Sequence, residues 1–274
     1  MQPPSPALAI PFARRDAWRG MFWLRRAYSM FRAAPLRWLL LSALYYLLFA
    51  CAQLGPWPAK FAAALLKPVF VVGFLAAAWG QERGGKPQIA DLFRGFRSNL
   101  RALLPLGLVF FVGMTLAVGA TALIDGGALL TWGSGGEEPS EEVLSSGRLQ
   151  LAMLTGIVCA LPTLLALWFA PALVVFHDAG VLTALGTSLR AALTNWRPVA
   201  VFGIAILFYG GVVPTLGEAL AHLLDAPAST VVELALLLPY ALIFLATFQI
   251  ADYVAYRDVF HADEPAPVDA DQAG

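Results

Sequence analysis

The chain has 274 residues, of which 59% are apolar and only 13% charged, with a mean hydropathy of +0.70. A water-soluble domain carries about twice that charged share, so the composition excludes a soluble globular protein and makes the bilayer the natural solvent. The net charge is zero, with 18 basic and 18 acidic residues. That balance hides a segregation, because seven arginines fall within residues 14–37 while acids gather in 125–142 and after Asp258. The basic run abuts an apolar segment, which argues for a membrane surface rather than nucleic acid as its partner.

In chain order, residues 1–15 (MQPPSPALAIPFARR) are Pro-rich and lack the basic start and apolar core of a cleavable signal. They read as a disordered tail, followed by a membrane domain over 16–260 and a disordered acidic tail over 261–274. A spanning helix needs about 20 mostly apolar residues. Six runs meet that length, at about 36–55, 58–79, 102–123, 149–176, 198–217 and 231–256. Pro68, Pro162 with Pro171, and Pro239 lie inside the second, fourth and sixth runs, where bends are expected. Ser140-Glu-Glu marks a start for the fourth helix, and Thr230-Val-Val-Glu233 has capping-box spacing before the sixth. The fold class expected is therefore all-α, a six-helix transmembrane bundle.

Counting Lys and Arg orients the spans. The N-terminal side holds fifteen and the other side three, namely Lys60, Lys67 and Arg148. Both termini are thus expected in the cytoplasm of a bacterial inner membrane, in keeping with an even number of spans.

A pattern repeats three times. DAWRGMFWLRRAYSMFR, DLFRGFRSNLR and LTALGTSLRAALTNWR each precede a pair of spans, and each leads to an arginine at the membrane entry: Arg37, Arg101 and Arg197. Met21, Leu24, Tyr28 and Phe31 fall at helical spacing in the first segment, Leu92, Phe93, Phe96 and Leu100 in the second, and Leu182, Leu185 and Leu189 in the third. Such segments are expected to lie flat in the interface, apolar face in lipid and guanidinium groups among phosphates. The architecture read from this is three units of cytoplasmic interfacial helix plus helical hairpin, arranged with quasi-threefold symmetry.

The FRAAPLRWLLLSALYYLL segment, the KPVFVVGFLAAAWGQERGGKPQIADLFRGFRSNLRALL stretch and the VVFHDAG turn resemble uncharacterised proteobacterial multi-pass inner-membrane proteins. More distantly, the pattern is similar to the membrane domain that precedes some glycerophosphodiester phosphodiesterases. The resemblance covers about residues 17–260 and implies a six-helix inner-membrane protein. It assigns no activity, and this chain carries no appended phosphodiesterase domain.

The residues expected to anchor at lipid headgroups are Arg25, Arg26, Arg37, Arg94, Arg97, Arg101 and Arg197. Lys67 stands apart, roughly 13 Å into the second span at 1.5 Å per residue. A charge at that depth is either a snorkelling side chain, an ion pair or part of a transport path. Its candidate partners are Glu218 and Asp125, near the outer ends. His177-Asp178, Asp252 and Arg257-Asp258 read as polar helix ends, and Glu218 with His222 as a solvated outer turn. The glycines at 203, 210 and 211 suit close helix contact. Cys51 and Cys159 lie in apolar runs and read as small buried side chains. No metal-ligand spacing, phosphate loop or nucleophile motif is present, so no cofactor and no catalytic or metal residues are expected. The function expected is non-catalytic, a scaffold or a protein that binds lipid or a protein partner, with anionic headgroups as the principal partner and no nucleic acid. The alternative is an ion or small-molecule transporter or channel using Lys67.

Overall fold

The computed structural model describes residues 10–133, 136, 146–221, 231 and 233–261. The described residues are helical, with no strand. The helices are α1 (Arg19–Ala33), α2 (Pro35–Leu54), α3 (Trp57–Glu82), a 3-10 helix (Ile89–Arg97), α4 (Leu100–Asp125), α5 (Ala128–Gly133), α6 (Arg148–Trp168), α7 (Ala170–Phe176), α8 (Val181–Thr194), α9 (Trp196–Leu207), α10 (Val213–Ala221) and α11 (Leu238–Phe260). π-helical turns at Phe208–Val212 and Glu233–Leu237 join α9 to α10 and lead into α11.

Six stretches are long and apolar enough to cross a membrane: Pro35–Leu54, Trp57–Glu82, Leu100–Asp125, Arg148–Phe176, Trp196–Leu220 and Ala235–Phe260. Each lies within a few residues of its sequence-derived counterpart. Tryptophan marks both ends of the bundle. Trp18, Trp79 and Trp196 are exposed where the arginines cluster, and Trp57 and Trp132 are exposed at the other end. Amphipathic rings at two levels are what the two membrane–water interfaces select.

The prolines act differently from one another. Pro68 sits within a continuous α3 and Pro162 within α6. The fourth span breaks instead at Phe169, two residues before Pro171. There Ser188 of α8 enters the backbone ladder. Its Oγ accepts from the Phe169 N–H at 3.0 Å and donates to the Leu165 carbonyl at 2.8 Å. Those two groups would otherwise bond each other across one helical turn, so the hydroxyl holds the break open while leaving nothing unsatisfied. The capping patterns at Ser140 and Thr230 fall outside the described residues. The caps observed are Asn99, which accepts from the Ala102 N–H at the start of α4, and left-handed Gly126 at its end.

The three amphipathic segments, expected to lie with their apolar faces in lipid, each bury part of that face against the protein and leave the rest exposed. Each docks on spanning helices: α1 on α11 and α9 of the last hairpin, the 3-10 helix on α3, and α8 on α6 and α7. In α1 the buried side is Gly20, Trp23, Leu24, Ala27, Met30 and Phe31, while Tyr28 faces outward. In α8 the buried side is small and polar (Ala184, Thr187, Ser188, Ala191), and Leu182 is 84% exposed. Phe93 and Phe96 of the 3-10 helix are likewise exposed, each with an edge against Phe70. In a membrane, large apolar side chains can face lipid at no cost, so small residues win the protein–protein contacts.

Three glycines allow the closest backbone approaches, and one of them, Gly107, would place a Cβ 2.1 Å from the Leu65 carbonyl oxygen. A Cβ on Gly95 would lie 1.9 Å from the Val69 carbonyl oxygen, and one on Gly20 would lie 2.2 Å from that of Pro198. Gly203 and Gly211, expected at helix contacts, have open space around them, and Gly210 alone of that trio meets a neighbour, Phe244. Cys51 and Cys159 are free and exposed on the outer surfaces of their spans, not buried.

Candidate functional site

The polar side chains concentrate at the end of the bundle where α3 and α11 finish and α1, α4 and α9 begin. Asp258, in the last turn of α11, is nearly buried. A carboxylate there must be paired and hydrogen-bonded on every side. The Trp23 indole donates to it at 2.8 Å, Arg19 Nε at 3.0 Å with its Nη2 also bound, and Arg15 Nη2 lies 3.3 Å away. Arg15 also donates to the Asp258 carbonyl through Nε at 2.9 Å and Nη2 at 2.6 Å.

Asn195, 1% exposed, completes this junction. Its Oδ1 accepts the Arg15 N–H at 2.7 Å, and its Nδ2 donates to the carbonyls of Ala13 and Ala191. The Ala13 N–H donates to the Val259 carbonyl at 2.8 Å. Residues 10–15, assigned from sequence to a disordered tail, are thus ordered by both main-chain and side-chain bonds. Residues 1–9 and 262–274 lie outside the described residues.

Glu82 and Asp91 are also engaged inside the protein, while Asp16 and Asp178 are exposed. Glu82 accepts from the Tyr253 hydroxyl and from Arg257 Nε at 3.1 Å. Asp91 accepts the Gln88 N–H at 2.8 Å and pairs with Arg94 Nε at 2.8 Å. Gln81 joins α1 to α2 and α3, since it accepts from the Trp38 indole and donates to the Met30 carbonyl, each at 2.8 Å.

The predicted anchor residues divide into two groups. Arg94 is held by Asp91, and Arg37 donates to the Pro87 carbonyl at 3.2 Å. Arg25, Arg97, Arg101 and Arg197 are exposed and have no acidic partner among the described residues, while Arg26 is half-buried. Arg25 and Arg197 lie 5.5 Å over the rings of Trp18 and Trp196, and Arg83 lies 4.0 Å over Trp79. Guanidinium stacked on an interfacial indole keeps its donors turned toward the headgroup layer.

Lys67 has a different surrounding from the one its sequence position suggested. Its ammonium sits 4.0 Å over the Phe110 ring of α4. Neither proposed acid meets it. Asp125 accepts the N–H groups of Gly127 and Leu129, which starts α5, and Glu218 is exposed. The carboxylate within electrostatic reach is Asp252 of α11. Asp252 lies within α11 rather than at its end; it is half-buried and accepts from the Trp168 indole at 2.8 Å. Tyr46 accepts from Gln249 at 3.3 Å nearby. These groups come from five different spans, which is why no local motif announces them.

His177 places its ring beside Tyr256, Phe260 and His261, and the Tyr256 hydroxyl meets His261 Nε2 at 2.9 Å. Asp178 is exposed and left-handed, with φ of 49°, where the chain turns from α7 to α8.

A probable inner membrane protein of Burkholderia thailandensis is 29% identical to this chain over 252 residues, which cover 90% of this chain and 92% of that one. No protein-family model matches the chain, and no solved structure does. The likeness to membrane domains that precede glycerophosphodiester phosphodiesterases is not shown by these matches. With its six apolar helices of spanning length, the chain is a multi-pass inner-membrane protein.

Proposed function

We propose that the protein is a non-catalytic lipid-binding scaffold of the inner membrane, whose arginine-rich end faces the cytoplasm and collects anionic headgroups. One observation carries this reading. Arg14, Arg25, Arg32, Arg97, Arg101 and Arg197 are exposed without acidic partners, whereas Glu82, Asp91 and Asp258 are consumed by contacts within the protein. The end as a whole is thus left positive beside a belt of exposed tryptophan, as a surface for phosphate-bearing lipid requires. The excess of Lys and Arg on this side supports its cytoplasmic placement. The docking contacts, the second and third amphipathic segments on the hairpin before them and the first on the last hairpin, support the three-unit reading.

Reporter fusions test the orientation. Fusions after Gly180 and Gly274 are expected to signal from the cytoplasm, and those after Gly135 and Asp225 from the periplasm; the inverse pattern overturns it. For lipid binding, the full-length protein is placed in nanodiscs of mixed phosphatidylglycerol and phosphatidylcholine. Wild type is expected to enrich phosphatidylglycerol around itself, and the variant Arg25→Ala/Arg26→Ala/Arg94→Ala/Arg97→Ala to lose most of that enrichment. Equal enrichment by the two would sink the proposal.

A second reading is supported by Lys67 and Asp252, two ionisable residues of opposite charge type within the spans. Ionisable groups at such depth mark ion paths in many membrane proteins. On this reading Lys67→Met abolishes a proton or ion flux in proteoliposomes, and a flux equal to wild type removes Lys67 from the path.

A further inference from the structure

The arginine-rich end contains a cavity of about 230 Å³ between Arg14–Ala17 and the wall formed by Thr194, Trp196 and Arg197. We propose that this cavity binds a single phosphate group, that of an anionic phospholipid, between the guanidinium groups of Arg14 and Arg197. The proposal rests on the lipid-facing reading of this end and adds to it a defined, saturable site.

The walls are built from both chain regions by the bonds around Asn195. Arg15 donates its N–H to the Asn195 side chain and Ala13 accepts from it, so Arg14–Ala17 is fixed against the start of α9. The remainder of Arg15 is committed to Asp258. Arg14 and Arg197 have no such commitment. Both are exposed, neither has a hydrogen-bonded or ion-paired partner among the described residues, and Arg197 rests over Trp196 at 5.5 Å.

The charge count favours an anion. Asp16 is the acid in the wall, and Asp258 lies behind it. Against these two stand Arg14, Arg15, Arg19 and Arg197. Two positive charges are left over, and Arg14 and Arg197 are the arginines of the set whose donors are unused among the described residues. A guanidinium fork matches two phosphate oxygens at once, which an ammonium or a hydroxyl cannot do. The positive end of α9, which begins at Trp196 in the same wall, acts in the same direction.

The surroundings favour a lipid as the source. Trp196 is 58% exposed and Leu193, on the preceding turn, is 55% exposed. They give an apolar flank beside the cavity at the level of the tryptophan belt. The cavity accommodates a headgroup phosphate and glycerol, with acyl chains lying along that flank.

The test uses the full-length, detergent-purified protein. Phosphatidylglycerol, phosphatidylcholine and inorganic phosphate are titrated separately, with bound lipid counted by native mass spectrometry and phosphate binding read by calorimetry. Wild type is expected to retain one tightly held phosphatidylglycerol and to prefer it to phosphatidylcholine. Arg14→Ala/Arg197→Ala is expected to weaken that one binding event roughly tenfold or more, as for loss of charge-assisted bonds. Arg14→Lys/Arg197→Lys is expected to fall between the two. Both positions are exposed, and an unchanged melting temperature verifies that the variants fold. Unchanged affinity in the Ala variant overturns the site. If that variant binds as wild type while Arg25→Ala/Arg26→Ala/Arg94→Ala/Arg97→Ala loses the preference, the wider lipid reading stands and the cavity falls. Absence of any preference in wild type overturns both. Saturable inorganic phosphate binding with no discrimination between the two lipids assigns the cavity to free phosphate and overturns the lipid source.

Discussion

The second and fifth spans are similarly long and apolar, yet they stand in opposite environments. In Trp57–Glu82, 56% of the apolar window is buried within the protein; in Trp196–Leu220 it is 11%. α3 packs against α2, α4, α7, α11 and the 3-10 helix. The outer part of the fifth span turns Leu207, Phe208, Leu216 and Leu220 away from the protein. What separates the two is the distribution of small residues and fixed polar groups, not hydrophobicity. α3 offers Gly73 to the backbone of Leu92 and accepts Gly95 at Val69, and it ends in Gln81 and Glu82, both bonded to neighbouring helices. The fifth span meets backbone at its beginning, where Pro198 approaches Gly20 and Phe202 stacks on Trp168, and further along it has Gly210 against Phe244 and the Tyr209 carbonyl accepting from the Tyr240 hydroxyl at 2.6 Å. Lipid is as good a solvent for leucine as another helix is, so apolar length alone carries no instruction to pack.

The sharpest way to break this contrast is at the junction that holds the dense end. Asp258→Ala removes the shared acceptor of Trp23, Arg19 and Arg15 and leaves charges without a partner. A loss of about 3–5 kcal/mol is expected, seen as a large fall in melting temperature in detergent, whereas Glu218→Ala, at an exposed site of the other end, should leave it unchanged. Equal effects would mean that stability is spread evenly over the bundle.

Next in size is the glycine comparison. Gly95→Val forces a side chain into the Val69 carbonyl and is expected to cost about 1–3 kcal/mol. Gly203→Val has open space and should shift the melting temperature little. A tolerated Gly95→Val would show that the 3-10 helix can leave α3 without consequence.

The smallest effect expected is at the break in the fourth span. Ser188→Ala leaves the Phe169 N–H and Leu165 carbonyl without the inserted hydroxyl. The two groups can partly recover by closing the helical bond, so a cost of about 1–2 kcal/mol is expected. Amide exchange at Phe169 reads it directly: faster exchange follows if the break persists, and slower exchange if the helix closes.

The six spans were legible from sequence because an apolar run of about 20 residues has few alternatives to crossing the bilayer as a helix. The arginine-rich end was legible too, since the charge asymmetry is a property of loop composition. Which face of each amphipathic segment would be buried was not. Tyr28 and Leu182, placed by spacing on faces expected in lipid, do face outward, whereas Leu24 and Phe31 of the same set are buried against spanning helices. The Lys67 partner was missed for a related reason. Asp252 is 185 positions away in sequence, and only the packing of α3, α4, α6 and α11 places these charges in one region. Asn195 and Asp258 gave a faint signal as polar residues at helix ends, but a helix end does not reveal which distant chain segment it will hold.

By itself, then, the sequence determined the solvent, the number of spanning helices and the end at which positive charge collects. All three follow from composition and run length. The tertiary structure decided which arginines remain unpaired, because Arg15 and Arg19 differ from Arg14 and Arg197 only in their distance from Asp258 once α11 is in place. It also decided which small residues meet and where a hydroxyl opens a helix. Those outcomes depend on contacts between segments far apart in the chain, and apolar patterning does not encode them when lipid and protein interior are equally apolar.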